Sequence, residues 1–306
     1  MLCSGQGAQK LGMGLDFVQE IPACAEIYRL AADASGIDVR ALCAEGPIEE
    51  LSLTQNTQPA LVACSLATAT ALMERDVEPD CVAGFSLGEY AAHAIAGTVD
   101  AKTALALVSQ RARFMADAAS KAKGSMAALL RCNLEQAQEL CSKHAAALGQ
   151  VLAPANVNCP GQVVISGQEQ VVEAACADWK EQGGKFAPVK TSGAFHSPLM
   201  QDAAGRMRPV LEAVDFAAPR IPLYCNRTAL PLEHGSEARM LEEQIVSPVL
   251  WEATIRNMIA DGVERFIECG PGKVLTGMVK RTARDMKADV SYLCVETLED
   301  LEALDA

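Results

Sequence analysis

The chain has 306 residues, 50% of them hydrophobic and only 4% aromatic, with a formal net charge of −13. That much apolar material supports a large core, either one large domain carrying an insertion or two domains. No apolar run reaches the ~18 residues a membrane span needs, no signal peptide is read at the start, and the acidic balance argues against nucleic acid, whose phosphates draw on Lys and Arg.

The twelve cysteines are scattered without a C-x-x-C pair. That spacing argues against a zinc site, and a core of this size does not need disulfides, so a reducing compartment is expected. The opening "MLCSGQGAQ" reaches a glycine-rich turn within a few residues. The chain is therefore expected to begin inside its first strand, which a removed targeting segment or a misplaced start would explain. Gly7 frees backbone N–H groups to approach a ligand, although a plain turn would read the same.

Pro59 to Met73 is apolar nearly all round and predicts a helix buried on most sides. After Pro79-Asp80, "CVAG" reads as a short strand and Leu87 to Ile95 as a helix, which places Ser86 in the turn of a G-x-S-x-G motif. Such a serine is either a nucleophile on a sharp elbow, with the next amide, that of Leu87, aimed at an oxyanion, or a helix N-cap. In the next helix, Ala101 to Ala119, a 3.6 period sets Ala104, Val108, Arg111 and Met115 on one stripe, and Ala106, Gln110, Arg113 and Asp117 on a polar one. Arg111 therefore faces inward. A buried guanidinium must meet an anion, supplied by a structural carboxylate or by a substrate.

Between Gly124 and Lys190 the pattern is β-α-β-β-α-β: "SMAALL", Leu134 to Ala147, "VLAPA", "QVVIS", Val171 to Gln182, "KFAPVK". This is the split order of a ferredoxin-like unit, expected as a small subdomain (124–190) inserted into a large one (1–123 and 191–306). Strands "IPLYC", "RFIEC" and "SYLCV" then alternate with helices near Met240 to Ile245, Trp251 to Asp261 and Val274 to Met286, before an acidic tail. The fold class is α/β with a mostly parallel, doubly wound sheet.

A nucleophilic serine needs a base, and histidine is the usual one. His93 lies too far along the helix that Ser86 opens, while His144 and His234 read as solvated. His196, in "SGAFHSPLM" at a strand-to-loop transition, is left as the base, against the plainer reading of a surface loop histidine.

Taken together, "GQGAQ", "TQPALVA", "GFSLGEY", "QRARFM", "NCPGQVVISG", "SGAFHSPLM", "QIVSPVLWEATI" and "ECGPGKVLTGMVKR" resemble, in order, the malonyl-CoA:acyl carrier protein transacylase family of fatty acid synthesis. The resemblance implies an α/β-hydrolase-like large domain with a ferredoxin-like insertion. It implies Ser86 as the residue that takes malonyl as an ester, His196 as base and then acid, and the Gln6 and Leu87 amides as oxyanion donors. Arg111 would grip the free malonyl carboxylate, and a backbone carbonyl at Gln244 would orient the histidine in place of an Asp. Phe195 would narrow the pocket against branched acyl groups, with Phe85 and Asn158 as further lining. The substrate is malonyl-CoA, the partner a phosphopantetheinylated acyl carrier protein, and no metal or bound cofactor is expected.

Phe85 stands where bacterial members usually carry His. That departure suggests an organellar relative in a plastid stroma or mitochondrial matrix, with a bacterial cytoplasm as the alternative. An acidic carrier protein meeting an acidic chain needs a local basic patch, and Lys273, Lys280, Arg281, Arg284 and Lys287 supply one, against the plainer reading of a solvated helix end. The same transfer serving a polyketide synthase, a serine hydrolase, and a noncatalytic carrier-binding scaffold are the rival readings.

Overall fold

The computed structural model describes residues 1–304. Five parallel strands form the main sheet in the order β7-β2-β1-β8-β9: β1 (Leu2–Cys3), β2 (Val82–Gly84), β7 (Leu223–Tyr224), β8 (Arg265–Cys269) and β9 (Ser291–Val295). Alternate residues divide between two packed layers. Cys3, Val82, Leu223 and Ile267 join one apolar cluster; Leu2, Ala83, Tyr224 and Phe266 join the other. With both faces covered, the strands read as short apolar runs, and β1, only two residues long, still lies at the centre of the sheet.

A second, antiparallel sheet has the order β4-β5-β3-β6, from β3 (Gly124–Leu130), β4 (Leu152–Cys159), β5 (Gln162–Gln168) and β6 (Lys185–Pro188). The helices Leu134–Leu148 and Glu169–Glu181 cover it and share its separate core, built around Leu129, Leu140, Ile165, Val172 and Trp179. The β-α-β-β-α-β order read from the sequence is thus the order of elements observed.

The helix predicted from Pro59 begins earlier, at Thr54, and runs to Met73 with nearly every side chain buried. Pro59 lies inside it, past the N-terminal N–H groups that lack helical acceptors, so the helix forgoes one backbone bond there while its buried side chains hold it in place. "IPLYC" contributes only Leu223–Tyr224 to the sheet, and the helix expected near Met240 begins at Glu237. Between the first glycine-rich turn and Thr54, where the sequence reading names no elements, lie the helices Leu15–Glu20, Pro22–Ser35, Val39–Glu45 and Ile48–Leu51. The acidic end is helical over Leu298–Glu302, with Thr297 as its cap, and its last two residues lie outside those described. All twelve thiols are buried, and burial pushes those of Cys3 and Cys24 up to about 12, so they behave as small apolar side chains. Among the described residues no helix is long and apolar enough to cross a membrane.

The glycines of G-x-S-x-G are explained by close approach. A Cβ on Gly84 would sit 2.0 Å from the Gly88 carbonyl, and one on Gly88 would sit 2.4 Å from the Cys3 carbonyl oxygen. Strand, turn and helix fit against β1 only without side chains there. Gly88→Ala is therefore expected to lose at least about 3 kcal/mol of stability or fail to fold. Gly277→Ala, in an exposed helical turn with open space around the added methyl, is expected to gain about 0.5–1 kcal/mol. Thermal and urea denaturation of both variants checks the pair.

Candidate active site

Three adjacent strands deliver the site at their carboxyl ends, where α/β sheets place ligands. β1 leads into Gln6, β2 into Ser86 and β7 into Asn226. Ser86 has φ 53° and His196 φ 54°, a left-handed backbone that costs a non-glycine residue about 1–3 kcal/mol unless its surroundings impose it. At Ser86 both peptide groups are held by side chains. Asn226 Oδ1 accepts from the Ser86 amide at 2.7 Å, and Gln244 Nε2 donates to the Ser86 carbonyl at 2.9 Å. Asn226 Nδ2 also donates to the Gly84 carbonyl at 2.6 Å, so one side chain spans the elbow.

Ser86 Oγ lies 2.7 Å from His196 Nε2, and His196 Nδ1 lies 2.9 Å from the Gln244 main-chain oxygen. A carbonyl can only accept, so Nδ1 carries the hydrogen. Nε2 of the neutral ring then offers a lone pair, and the serine hydroxyl donates to it. Burial first, and the neighbouring Arg111 charge second, push His196 down to about 4. The imidazole is therefore neutral and able to accept a proton at pH 7.

Arg111 is fully buried. Its Nη1 donates to Gln58 Oε1 at 2.7 Å, and its Nη2 donates to Gln244 Oε1 at 2.9 Å and to Ser86 Oγ at 3.1 Å. Among the described residues no carboxylate forms an ion pair with it, and Nε has no partner. The structural-carboxylate alternative for this residue is thereby removed. Desolvation pulls the guanidinium's pKa below its usual value, opposed by the nearby Tyr90 and Glu89.

These groups face a cavity of about 100 Å³, lined also by Gln6, Phe85, Met115, Met126, Asn156 and Phe195. A liquid water occupies about 30 Å³, so the space suits an acyl group of a few heavy atoms. Phe85 packs edge-on against Trp251, with ring centroids 5.3 Å apart. Neither the Gln6 nor the Leu87 amide donates to an acceptor within the described residues, and the Gln6 side chain reaches Thr54 Oγ1 at 3.4 Å.

Asn158 does not line the cavity. Register shifts in β4 between Pro154 and Asn156 and between Val157 and Cys159 turn Asn156 toward it, while the Asn158 amide donates to Gln162 Oε1 at 3.3 Å. His144 is not solvated either: its Nε2 is 2.8 Å from Asp178 and its side chain is 14% exposed. His93 is buried and bonded to Thr98, and burial pushes it down to about 3. The sequence reading missed Gln58, Asn226, Glu89 and the Gln244 side chain. A buried polar residue in an apolar run gives no periodic signal, and Gln58 stands just before the Pro59 at which the apolar helix is read to begin.

A serine, an imidazole and a peptide carbonyl in hydrogen-bonded series, beside a guanidinium with no counter-charge, are an arrangement on an α/β fold with the chemistry that serine-type acyl transfer requires. The chain belongs to the acyl transferase domain family, whose model matches residues 1–299. It is 39% identical to the malonyl CoA-acyl carrier protein transacylase of Bacillus subtilis, over 98% of this chain and 96% of that one. The malonyl CoA-acyl carrier protein transacylase structure from Coxiella burnetii superposes with a TM-score of 0.93 at 34% identity, covering 100% of this chain and 96% of that one. A malonyl-transacylase solved in complex with a type II polyketide synthase acyl-carrier protein gives 0.92 at 36% identity, over 99% and 97%. The family resemblance carried by the ordered motifs is borne out. The two relatives named by organism are bacterial, and the organellar expectation attached to Phe85 draws no support from them.

A neutral, desolvated base predicts a shifted acid limb. Labelling of Ser86 by a fluorophosphonate, followed by intact mass, is expected to hold its rate from pH 8 to 5.5 and to fall only toward pH 4. A midpoint at the ordinary imidazole value would show that the ring is solvated.

Proposed function

We propose that this chain transfers malonyl from malonyl-CoA to the phosphopantetheine thiol of an acyl carrier protein, through a malonyl ester on Ser86, in support of fatty acid synthesis. The observation that carries the reading is Arg111: buried, without a carboxylate partner, and 3.1 Å from Ser86 Oγ. It is placed to take the free carboxylate of a short dicarboxylic acyl group, in the planar, paired manner guanidinium favours.

In the first half-reaction His196 Nε2 takes the Ser86 proton as Oγ attacks the thioester carbonyl, and the Gln6 and Leu87 amides receive the oxyanion. The C–S bond breaks, and His196 returns the proton to the CoA sulfur. In the second half the carrier thiol gives its proton to His196 and attacks the ester, and Ser86 recovers the proton on leaving. Phe195 and Phe85 narrow the cavity against a methyl branch. A reducing interior such as a bacterial cytoplasm suits twelve buried free thiols.

Lys273, Lys280, Arg281, Arg284 and Lys287 are all exposed on or beside the helix Val274–Met286. Arg281 and Arg284, with Arg131 of the small sheet opposite, line an open groove of about 860 Å³. Ala128 and Ala187 of that groove share a face of the small sheet with Met126 and Val189 of the cavity, two residues along the paired strands. This groove is the proposed path for the carrier protein or the CoA phosphates.

Ser86→Ala is expected to abolish the malonylated enzyme seen by intact mass after mixing with malonyl-CoA. A scaffold would be indifferent to the change, and a hydrolase would consume malonyl-CoA rapidly without carrier protein. Arg111→Ala should lower malonyl transfer by about 100-fold or more while sparing acetyl transfer, given the 2–5 kcal/mol such desolvated charge contacts carry. Equal losses on both acyl groups would defeat the carboxylate role. Arg284→Glu should raise KM for carrier protein and leave acylation by malonyl-CoA unchanged; equal effects on both steps, or none, would remove the groove from the reading.

A further inference from the structure

Glu89 stands one helical turn beyond Ser86, fully buried, and the reaction described above does not use it. Its Oε2 accepts from Gln244 Nε2 at 2.7 Å and from the Asn226 amide at 3.2 Å. Gln244 carries three duties. Its main-chain oxygen takes the His196 hydrogen, its Oε1 takes Arg111 Nη2, and its Nε2 holds the Ser86 carbonyl. A side-chain amide can face either way, and only one orientation serves here. Reversed, its NH₂ would confront the guanidinium, and its oxygen would confront the Ser86 carbonyl and the Glu89 carboxyl.

We propose that Glu89 is the positioning residue that fixes the Gln244 amide, and through it sets Arg111 to receive an acyl carboxylate. The inference rests on the malonyl-transfer reading. Glu89 does not touch the guanidinium; it holds an acceptor toward Nε2, and that hold leaves Oε1 pointed at Arg111. The buried guanidinium and the buried carboxyl are joined through a neutral amide, so Arg111 is steadied without a direct ion pair. Asn226, which meets both Glu89 and the Ser86 amide, ties the same device to the elbow.

The test compares acylation of the full chain by malonyl-CoA and by acetyl-CoA, as kcat and KM, in Glu89→Gln, Glu89→Leu, Gln244→Met and the double variant Glu89→Leu/Gln244→Met. Glu89→Gln keeps an accepting oxygen and is expected within about 3-fold of wild type for both substrates. Removing that acceptor, or the amide it holds, is expected to lower kcat/KM for malonyl-CoA by about 10- to 100-fold, mainly through KM, and by at least about 5-fold more than for acetyl-CoA, which also falls in Gln244→Met because that amide holds the Ser86 carbonyl. The double variant is expected to be no worse than the single ones, because both break one link. If Glu89→Leu does not fold, near-normal Glu89→Gln with a malonyl-selective loss in Gln244→Met supports the proposal. Equal losses on both acyl groups, additive losses in the double variant, or failure of Glu89→Gln to retain malonyl selectivity overturns it. A wild-type chain that forms no malonyl ester would instead defeat the functional reading beneath it.

Discussion

The structure is organised around a positive charge kept in the interior without a negative partner. Arg111 is satisfied by three neutral oxygens, from Gln58, Gln244 and Ser86, and its Nε by none within the described residues. An uncompensated buried charge is among the costlier features a fold can carry, of order 3–5 kcal/mol when a partner is removed experimentally. The surroundings are arranged to hold it in that state. Gln58 comes from a helix with almost every side chain buried, Gln244 from a helix across the site, and Arg111 from the inward stripe between apolar neighbours. Rigid elements on three sides hold the guanidinium at the wall of the cavity.

The sheet converts this into a site. Because β7, β2 and β1 are neighbours, the residues that follow them converge without long loops. The elbow glycines let β2 and its helix sit against β1, and Asn226 from β7 locks the turn that β2 feeds. Left-handed backbone at Ser86 is held by these contacts, and the His196 ring is held by the Gln244 carbonyl, so the pair is aligned before any acyl group arrives.

Much of this was legible in the sequence because it depends on local signals. Glycines two positions either side of Ser86 mark the elbow, the period of the Ala101 helix turns Arg111 inward, and alternation of strand and helix separates the parallel sheet from the split insertion. What the sequence hid is set by pairing across distance. Gln58, Glu89 and Asn226 are polar residues in apolar surroundings, and their meaning appears only when residues 53 to 155 positions apart are brought together. Asn158, named from the "NCPGQ" motif, is not the lining residue: β4 is bulged on either side of Asn156 and Val157, and Asn156 reaches the cavity. His144 was misjudged for a similar reason: its partner Asp178 lies on the other helix of the small sheet.

The choice of a carbonyl to orient His196 follows from the same buried charge. Gln244 serves the imidazole with its main chain and Arg111 with its side chain, so a carboxylate placed on Nδ1 would stand within a side chain's reach of the guanidinium. It would orient the histidine and raise its basicity, but it would also neutralise Arg111 and close the place where an acyl carboxylate binds. A neutral carbonyl orients without discharging. The consequence is a base pushed down to about 4, by burial first and by Arg111 second. On the proposed reading the substrate offsets the second of these. A malonyl carboxylate arriving on Arg111 cancels the charge that opposes imidazolium formation, and the base strengthens when the correct acyl group is in place. An acetyl group brings no such charge and leaves His196 as it was, so selection for malonyl acts on the proton transfer as well as on binding.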